Sequence, residues 1–248
     1  MERSPPLAAH PRDTAASPAA GPAPVVLFCL FDIAPRFRLW GWSRFVVGRF
    51  ALRGVPGLRF VKVLGSGHEG RFGLKPSASI TGLFCVFDDA ASANAFTAPG
   101  GPLQAWRKRA GDHFCVRLHP WSSRGSWSGM RLPVTAVAPA QGPVASLTRA
   151  SIRPSRAAAF WGMEPAAERA LTGVRGCRLA VGVGEAPLLR QATFSLWDSV
   201  ADMNDYARQG AHQAAIRAAA ERGFFSESMF VRFVPERLEG CWQGRTLG

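Results

Sequence analysis

From Pro24 onward the chain alternates two hydrophobic patterns. Short, dense apolar runs predict strands: VVLFCLFDI at 25–33, LRFVKVLGSG at 58–67, ASITGLFCVFDD at 78–89 and HFCVRLHP at 113–120. Between them, Pro35 to Arg53 and Ala90 to about Arg109 carry the wider spacing of helices. The resulting order, β-α-β-β-α-β, is that of a split βαβ, ferredoxin-like unit. After a stretch rich in Trp, Ser, Gly and Pro at 120–143 the order returns. Strands are predicted at 143–152, 177–185, 190–199 and 228–235, with helices from Pro154 to about Leu171 and across 200–223. Phe87-Asp88-Asp89 aligns with Trp197-Asp198-Ser199, Ala93 with Met203 and Phe96 with Tyr206, while Val116-Arg117 matches Val231-Arg232 at a slightly longer shift. The predicted fold is therefore α+β: two tandem ferredoxin-like repeats, as in dimeric α+β barrels, with antiparallel sheets packed face to face around a ligand cavity. The boundaries read as a Pro/Ala-rich disordered tail at 1–23, a first half at 24–121, a linker at 122–142 and a second half at 143–248.

Composition narrows the function classes. The 248 residues are 47% hydrophobic, enough for a packed core, so a wholly disordered or fibrous chain is excluded. Five scattered cysteines without a C-x-x-C pair argue against a zinc ribbon, an iron–sulfur cradle or a disulfide scaffold. No apolar run reaches the ~18 residues of a membrane span, and the tail lacks the apolar segment of a secretory signal. The net charge of +13 comes almost wholly from arginine, since only Lys62, Lys75 and Lys108 are lysines. Such a surface favours acidic partners, but the arginines form no basic tract or nucleic-acid motif, so nucleic-acid binding is not expected. Across residues 36–53, Arg36, Arg38, Arg44, Arg49 and Arg53 are mixed with Leu39, Trp40, Trp42, Phe45 and Phe50. That mixture suits a membrane interface. A core-facing helix with solvated arginines is the other reading.

Several chemistries are missing from the sequence. Gly65-Ser66-Gly67 and Gly182-Val183-Gly184 do not complete a dinucleotide fingerprint, and there is no phosphate-binding loop or serine-hydrolase elbow. His113 and His119 lie too far apart on one strand to share an ion, so a two-His-one-carboxylate iron site would need ligands from elsewhere. His212 is set differently. Helical spacing places it on one face with Ala215, Ile216 and Ala219, small enough to admit a flat ligand, and an imidazole there is a natural axial ligand for haem iron. A hydrogen-bonded core histidine is the ordinary alternative. The aligned position of the first half is Pro102, so the two halves are expected to differ in function.

The segments LTRASIRP at 147–154, VGVGEAPLLRQATFSLW at 181–197, AHQAAIRAAAERGFFSE at 211–227, GSGHEGRFGLKP at 65–76 and RGSWSG at 124–129 resemble the spheroidene monooxygenase family over about residues 24–243. The resemblance implies an oxygenase of acyclic carotenoid synthesis in phototrophic bacteria, using O2, reduced ferredoxin and a haem to introduce a keto group. Two successive hydroxylations at one carbon would give a geminal diol that loses water, so the substrate must be held through two turnovers. Phe84, Phe87, Phe194, Trp197, Phe230 and Phe233 are candidates to line a channel for the apolar rod, although ordinary core packing accounts for most of them. Arg149, Arg153 and Arg190 are candidate partners of the haem propionates. Gln191 and Ser195 share a strand face and are candidates to hydrogen-bond bound oxygen. A carotenoid dissolved in the bilayer implies a cytoplasmic protein bound peripherally to the inner or intracytoplasmic membrane through the Arg/Trp-rich helix. A non-catalytic haem- or carotenoid-binding barrel is the competing reading.

Overall fold

The computed structural model describes residues 23–70, 75–162, 174–186, 188–208 and 223–247. Eight long strands follow the predicted order: β1 (Val25–Ile33), β2 (Leu58–Gly67), β3 (Pro76–Phe87), β4 (Ala110–Gly125), β5 (Val144–Ile152), β6 (Cys177–Ala186), β7 (Arg190–Trp197) and β8 (Phe225–Trp242). A two-residue β9 (Arg245–Thr246) pairs with the end of β8. The described helices are α1 (Arg38–Ala51), α2 (Ala90–Thr97), α3 (Gln104–Arg107), α4 (Ala157–Trp161) and α5 (Val200–Arg208). The helix expected over 90–109 is split in two, because Pro99, Gly100, Gly101 and Pro102 interrupt it.

The neighbour order is β4-β1-β3-β2-β6-β7-β5-β8, and β8 returns to pair with β4, so every strand of the eight has two neighbours. This corrects the expected packing. The sheets do not lie face to face as separate layers; they join edge to edge into one closed antiparallel barrel. The two seams are unequal. β4 and β8 pair over a long stretch from His113↔Cys241 to Gly125↔Met229, whereas β2 and β6 meet only at Gly65↔Gly184 and Ser66↔Val183, with Ser66 Oγ donating to the Gly182 carbonyl at 2.5 Å. Closure satisfies the edge hydrogen bonds that two open sheets would leave exposed.

Alternation sorts each strand into an inner and an outer side. Phe28, Phe84, Phe114, Phe194 and Phe233 point inward with the aliphatic residues of β1, β5, β6 and β8, and Phe28 stacks on Phe194 at a ring-centroid distance of 4.0 Å. The interior is thus filled by aromatic rings meeting at the axis, and the ligand cavity expected between the sheets is replaced by core. The channel expected from six aromatic residues is not formed either. Phe84, Phe194 and Phe233 are interior, Phe87 packs under α2 against Phe96, Trp197 packs against Tyr206, and only Phe230 lies half-buried on the outside.

Equivalent local devices start α2 and α5. The Ser92 N–H donates to Asp89 Oδ1 at 2.7 Å, and the Asp202 N–H donates to Ser199 Oγ at 3.1 Å. Each cap satisfies a backbone donor with no partner inside its helix. Gly57 and Gly176, at φ 71° and 76°, place their carbonyls to accept from Asp88 and Asp198. Those two aspartates pair in turn with Arg59 and Arg178.

Candidate functional site

The outer sides of the two halves differ sharply, and the difference locates a site. In the first half, register sets Val63, Leu83, Cys29 and Cys115 in one row across β2-β3-β1-β4. These apolar side chains fill the space below the helices, together with Phe31, Phe87 and Leu27. The corresponding rows of the second half, across β6-β7-β5-β8, read Gly184, Gln191, Ala150, Ser228; then Gly182, Thr193, Thr148, Phe230; then Ala180, Ser195, Ser146, Arg232. Ten of these twelve positions are neither aromatic nor arginine, and most are Gly, Ala, Ser or Thr. This face carries much less side-chain volume than the row of Val63, Leu83, Cys29 and Cys115 in the first half.

Gln191 and Ser195 both belong to this face, as alternation predicts. Ser195 is nearly buried; its hydroxyl accepts from Trp197 Nε1 at 2.8 Å and lies 2.9 Å from Ser146 Oγ. It is fixed by packing and is already hydrogen-bonded. The Gln191 amide has a looser tether, with Nε2 3.5 Å from the Ala186 carbonyl. Arg153 and Arg190 are exposed near one end of the β5–β7 pair. His212 lies outside the described residues.

Arg149 departs from the expected propionate-facing role. It alternates with Ala145 and Leu147, so its side chain turns to the inside of the barrel end, where it is buried. There its Nη1 donates to Glu227 Oε2 at 2.5 Å and its Nη2 to Glu185 Oε2 at 3.2 Å. Lys62 donates to Glu185 Oε1 at 2.6 Å and Trp127 Nε1 to Glu185 Oε2 at 2.7 Å. Glu227 further accepts from Ser126 Oγ and from the backbone N–H groups of Ser128 and Gly129. Burial alone would push the pKa of both carboxyls up, but these donors outweigh it: Glu185 is held below the ordinary carboxylate range and Glu227 falls to about 2. Both glutamates and Lys62 escaped the sequence reading. The signal available was an acid at the inward register of an otherwise apolar strand.

This network explains the RGSWSG turn. Trp127 enters the barrel end, with its ring 5.0 Å from Phe84 and 5.9 Å from Phe60, while Glu227 grips the turn behind it. Gly125 is at φ 85°, and a Cβ there would collide with the Ser228 carbonyl, so only glycine fits.

Other candidates resolve plainly. His119 Nε2 lies 2.8 Å from Glu236, and among the described residues no group of three His, Cys, Asp or Glu could hold a metal ion, so the two-His-one-carboxylate iron site is not formed there. Cys29, Cys85 and Cys115 are buried, and burial pushes the Cys29 and Cys85 thiols up, which suits core residues and not thiolate ligands. No described helix is long and apolar enough to cross a membrane.

No family model matches the chain. A search of solved structures finds an aldoxime dehydratase at a TM-score of 0.55 and 13% identity, covering 89% of this chain and 84% of that one; the likeness is one of fold. Among characterised sequences, spheroidene monooxygenase of Rubrivivax gelatinosus is 52% identical over 247 residues, covering 100% of this chain and 95% of the relative. Spheroidene monooxygenase of Rhodobacter capsulatus is 37% identical over 210 residues, covering 83% of this chain and 87% of the relative. At these identities and coverages, the chain belongs to the spheroidene monooxygenase family.

Proposed function

We propose that this chain is a carotenoid monooxygenase that introduces a keto group into an acyclic carotenoid such as spheroidene, with O2 and reduced ferredoxin as co-substrates and a haem held on the outer face of the second half. Its membership of the family, at 52% identity over the full chain, carries the reading. The face of Gly, Ala, Ser and Thr supports the haem part, because a wide planar group needs a floor without large side chains. The shared strand order and helix caps support reading the halves as tandem ferredoxin-like units, the second of which carries the smaller side chains on its outer face.

A haem bound there would supply O2 activation for insertion into a C–H bond. His212 would hold the iron, and exposed Arg153 and Arg190 would pair with the propionates. Gln191, on the floor and loosely tethered, would donate a hydrogen bond to the oxygen being inserted. Ser195, fixed by Trp197 and Ser146, would keep its neighbour strand in register through both hydroxylations. The same proposal places the protein in the cytoplasm, peripherally on the inner or intracytoplasmic membrane, where its substrate is dissolved.

Incubation of the purified chain with spheroidene, ferredoxin, ferredoxin reductase, NADPH and isotopically heavy O2 tests the reading. The expected product is a ketone whose carbonyl carries the heavy isotope. A ketone with no heavy oxygen, measured before exchange with water, would contradict a monooxygenase. Bound pigment with no oxygenated product would favour the non-catalytic barrel.

A further inference from the structure

We propose that the outward stripe of α1, made by Leu39, Trp42, Phe45 and Val46, is the surface by which this protein docks on an anionic lipid bilayer; that the substrate is dissolved in lipid and that the site lies on the second half's outer face are taken from the proposed function. Leu39 and Val46 are 78% and 71% exposed, and Trp42 and Phe45 are about half exposed. The spacing i, i+3, i+7 puts Leu39, Trp42 and Val46 on one line along the helix. The opposite side of α1 does the packing. Gly41 sits against Ile33, Gly48 against Val63, Leu52 is buried, and Trp40 meets Trp106 edge-on at 5.1 Å. The exposed apolar residues are therefore additional to the side that holds the helix to the barrel. Trp42 Nε1 donates to the Ala78 carbonyl at 3.0 Å, which fixes the indole while half of it stays open to solvent.

Charge selects the occupant. From Ile33 to His68 the sequence has no acidic residue but contains Arg36, Arg38, Arg44, Arg49, Arg53, Arg59 and Lys62. Among the described residues, no carboxylate lies within ion-pair distance of Arg36, Arg38, Arg44 or Arg53. An apolar stripe flanked by arginines matches acyl chains beneath anionic headgroups. A two-fold contact between copies would instead bring both sets of arginines together without a counter-charge. The helix is also next to the proposed site. Phe45 reaches the β2–β6 seam, 3.5 Å from where a Cβ on Gly65 would stand, and Gly65 pairs with Gly184 at the edge of the second half's small-residue face. A rod drawn from the bilayer along α1 has a short way to travel.

The test is flotation of the full chain with vesicles of phosphatidylcholine alone or mixed with phosphatidylglycerol. Wild type should float with the mixed vesicles, and less at high salt. Leu39→Ser combined with Val46→Ser should lower partition about tenfold or more. Val137→Ser, changing an equally exposed residue off the helix, should leave it unchanged. A thermal melt equal to wild type shows that each variant folds; if the double variant melts early, Val46→Glu alone takes its place. Wild type that stays in solution, or a folded variant that floats as well as wild type, overturns the proposal. Lipid-free self-association or ferredoxin retention that the same substitutions abolish also overturns it, by assigning the stripe to a protein. Turnover of detergent-dissolved carotenoid should be equal in wild type and variant, so failure of the enzymatic reading shows there and not in the flotation.

Discussion

His212→Ala is expected to stop ketone formation, lowering turnover at least about a hundredfold, and to yield protein without haem absorbance. The expectation rests on sequence spacing and on the asymmetry of the halves. In sequence His212 follows α5, in the half whose sheet face is built of small side chains, and helical spacing would set it on one side with Ala215, Ile216 and Ala219. The aligned Pro102 accompanies a face already filled by Leu83, Cys29 and Cys115. Product assay and visible spectrum are read together on the same preparation. A variant with wild-type turnover and an unchanged band would move the axial ligand to another residue.

Arg149→Met is expected to cost about 3–5 kcal/mol of stability, because it leaves Glu227 and Glu185 at the barrel end without the guanidinium that joins them. The side chain fits the space in volume, so lost charge pairing dominates over a cavity. The acid dependence has a definite sign. Both glutamates ionise more readily in the folded chain than their ordinary value of 4.5, Glu227 down to about 2. Their contribution is therefore complete above pH 4.5 and is lost as pH falls toward about 2. Thermal melts between pH 6 and about 2 should show wild type losing stability in that window, and Arg149→Met starting lower but keeping most of the same acid dependence, because the backbone N–H groups of Gly129 and Ser128 still hold Glu227 and Lys62 and Trp127 still hold Glu185. A wild-type curve flat across that window, or a variant within about 1 kcal/mol of wild type at neutral pH, would show that the network contributes little.

Much of this architecture is written in local pattern. Strand alternation gives the eight strands, and Asp89 and Ser199 mark two helix starts. The small-residue face was also legible, since Gly182 and Gly184 alternate with Val181 and Val183, and Thr193 and Ser195 with Ala192 and Phe194. Closure was not. Alternation specifies which side of a strand is apolar but not which edge it joins, and β4 and β8 run on through Ser122, Arg124, Arg237 and Glu239 because each supplies the other's hydrogen bonds. The barrel-end network was hidden for a related reason: Lys62 lies 123 residues from Glu185, and Arg149 lies 78 from Glu227. Arg149 itself could have been placed from its register with Leu147, which turns it inward. Trp40 and Trp42 read alike in sequence, yet one packs on Trp106 and the other faces outward, a distinction set by the helix's rotation on the sheet.

The proposed function stands on the small-residue sheet face of the second half as the seat of the haem. Thr193 stands at its middle, between Gly182 and Thr148, with its side chain directed away from the core. The visible absorption spectrum of haem-reconstituted wild type beside Thr193→Trp, with equal melting temperatures confirming both folds, tests it most directly. The account predicts a Soret band in wild type that Thr193→Trp loses. A colourless wild type, or an equal band in the filled variant, would contradict it.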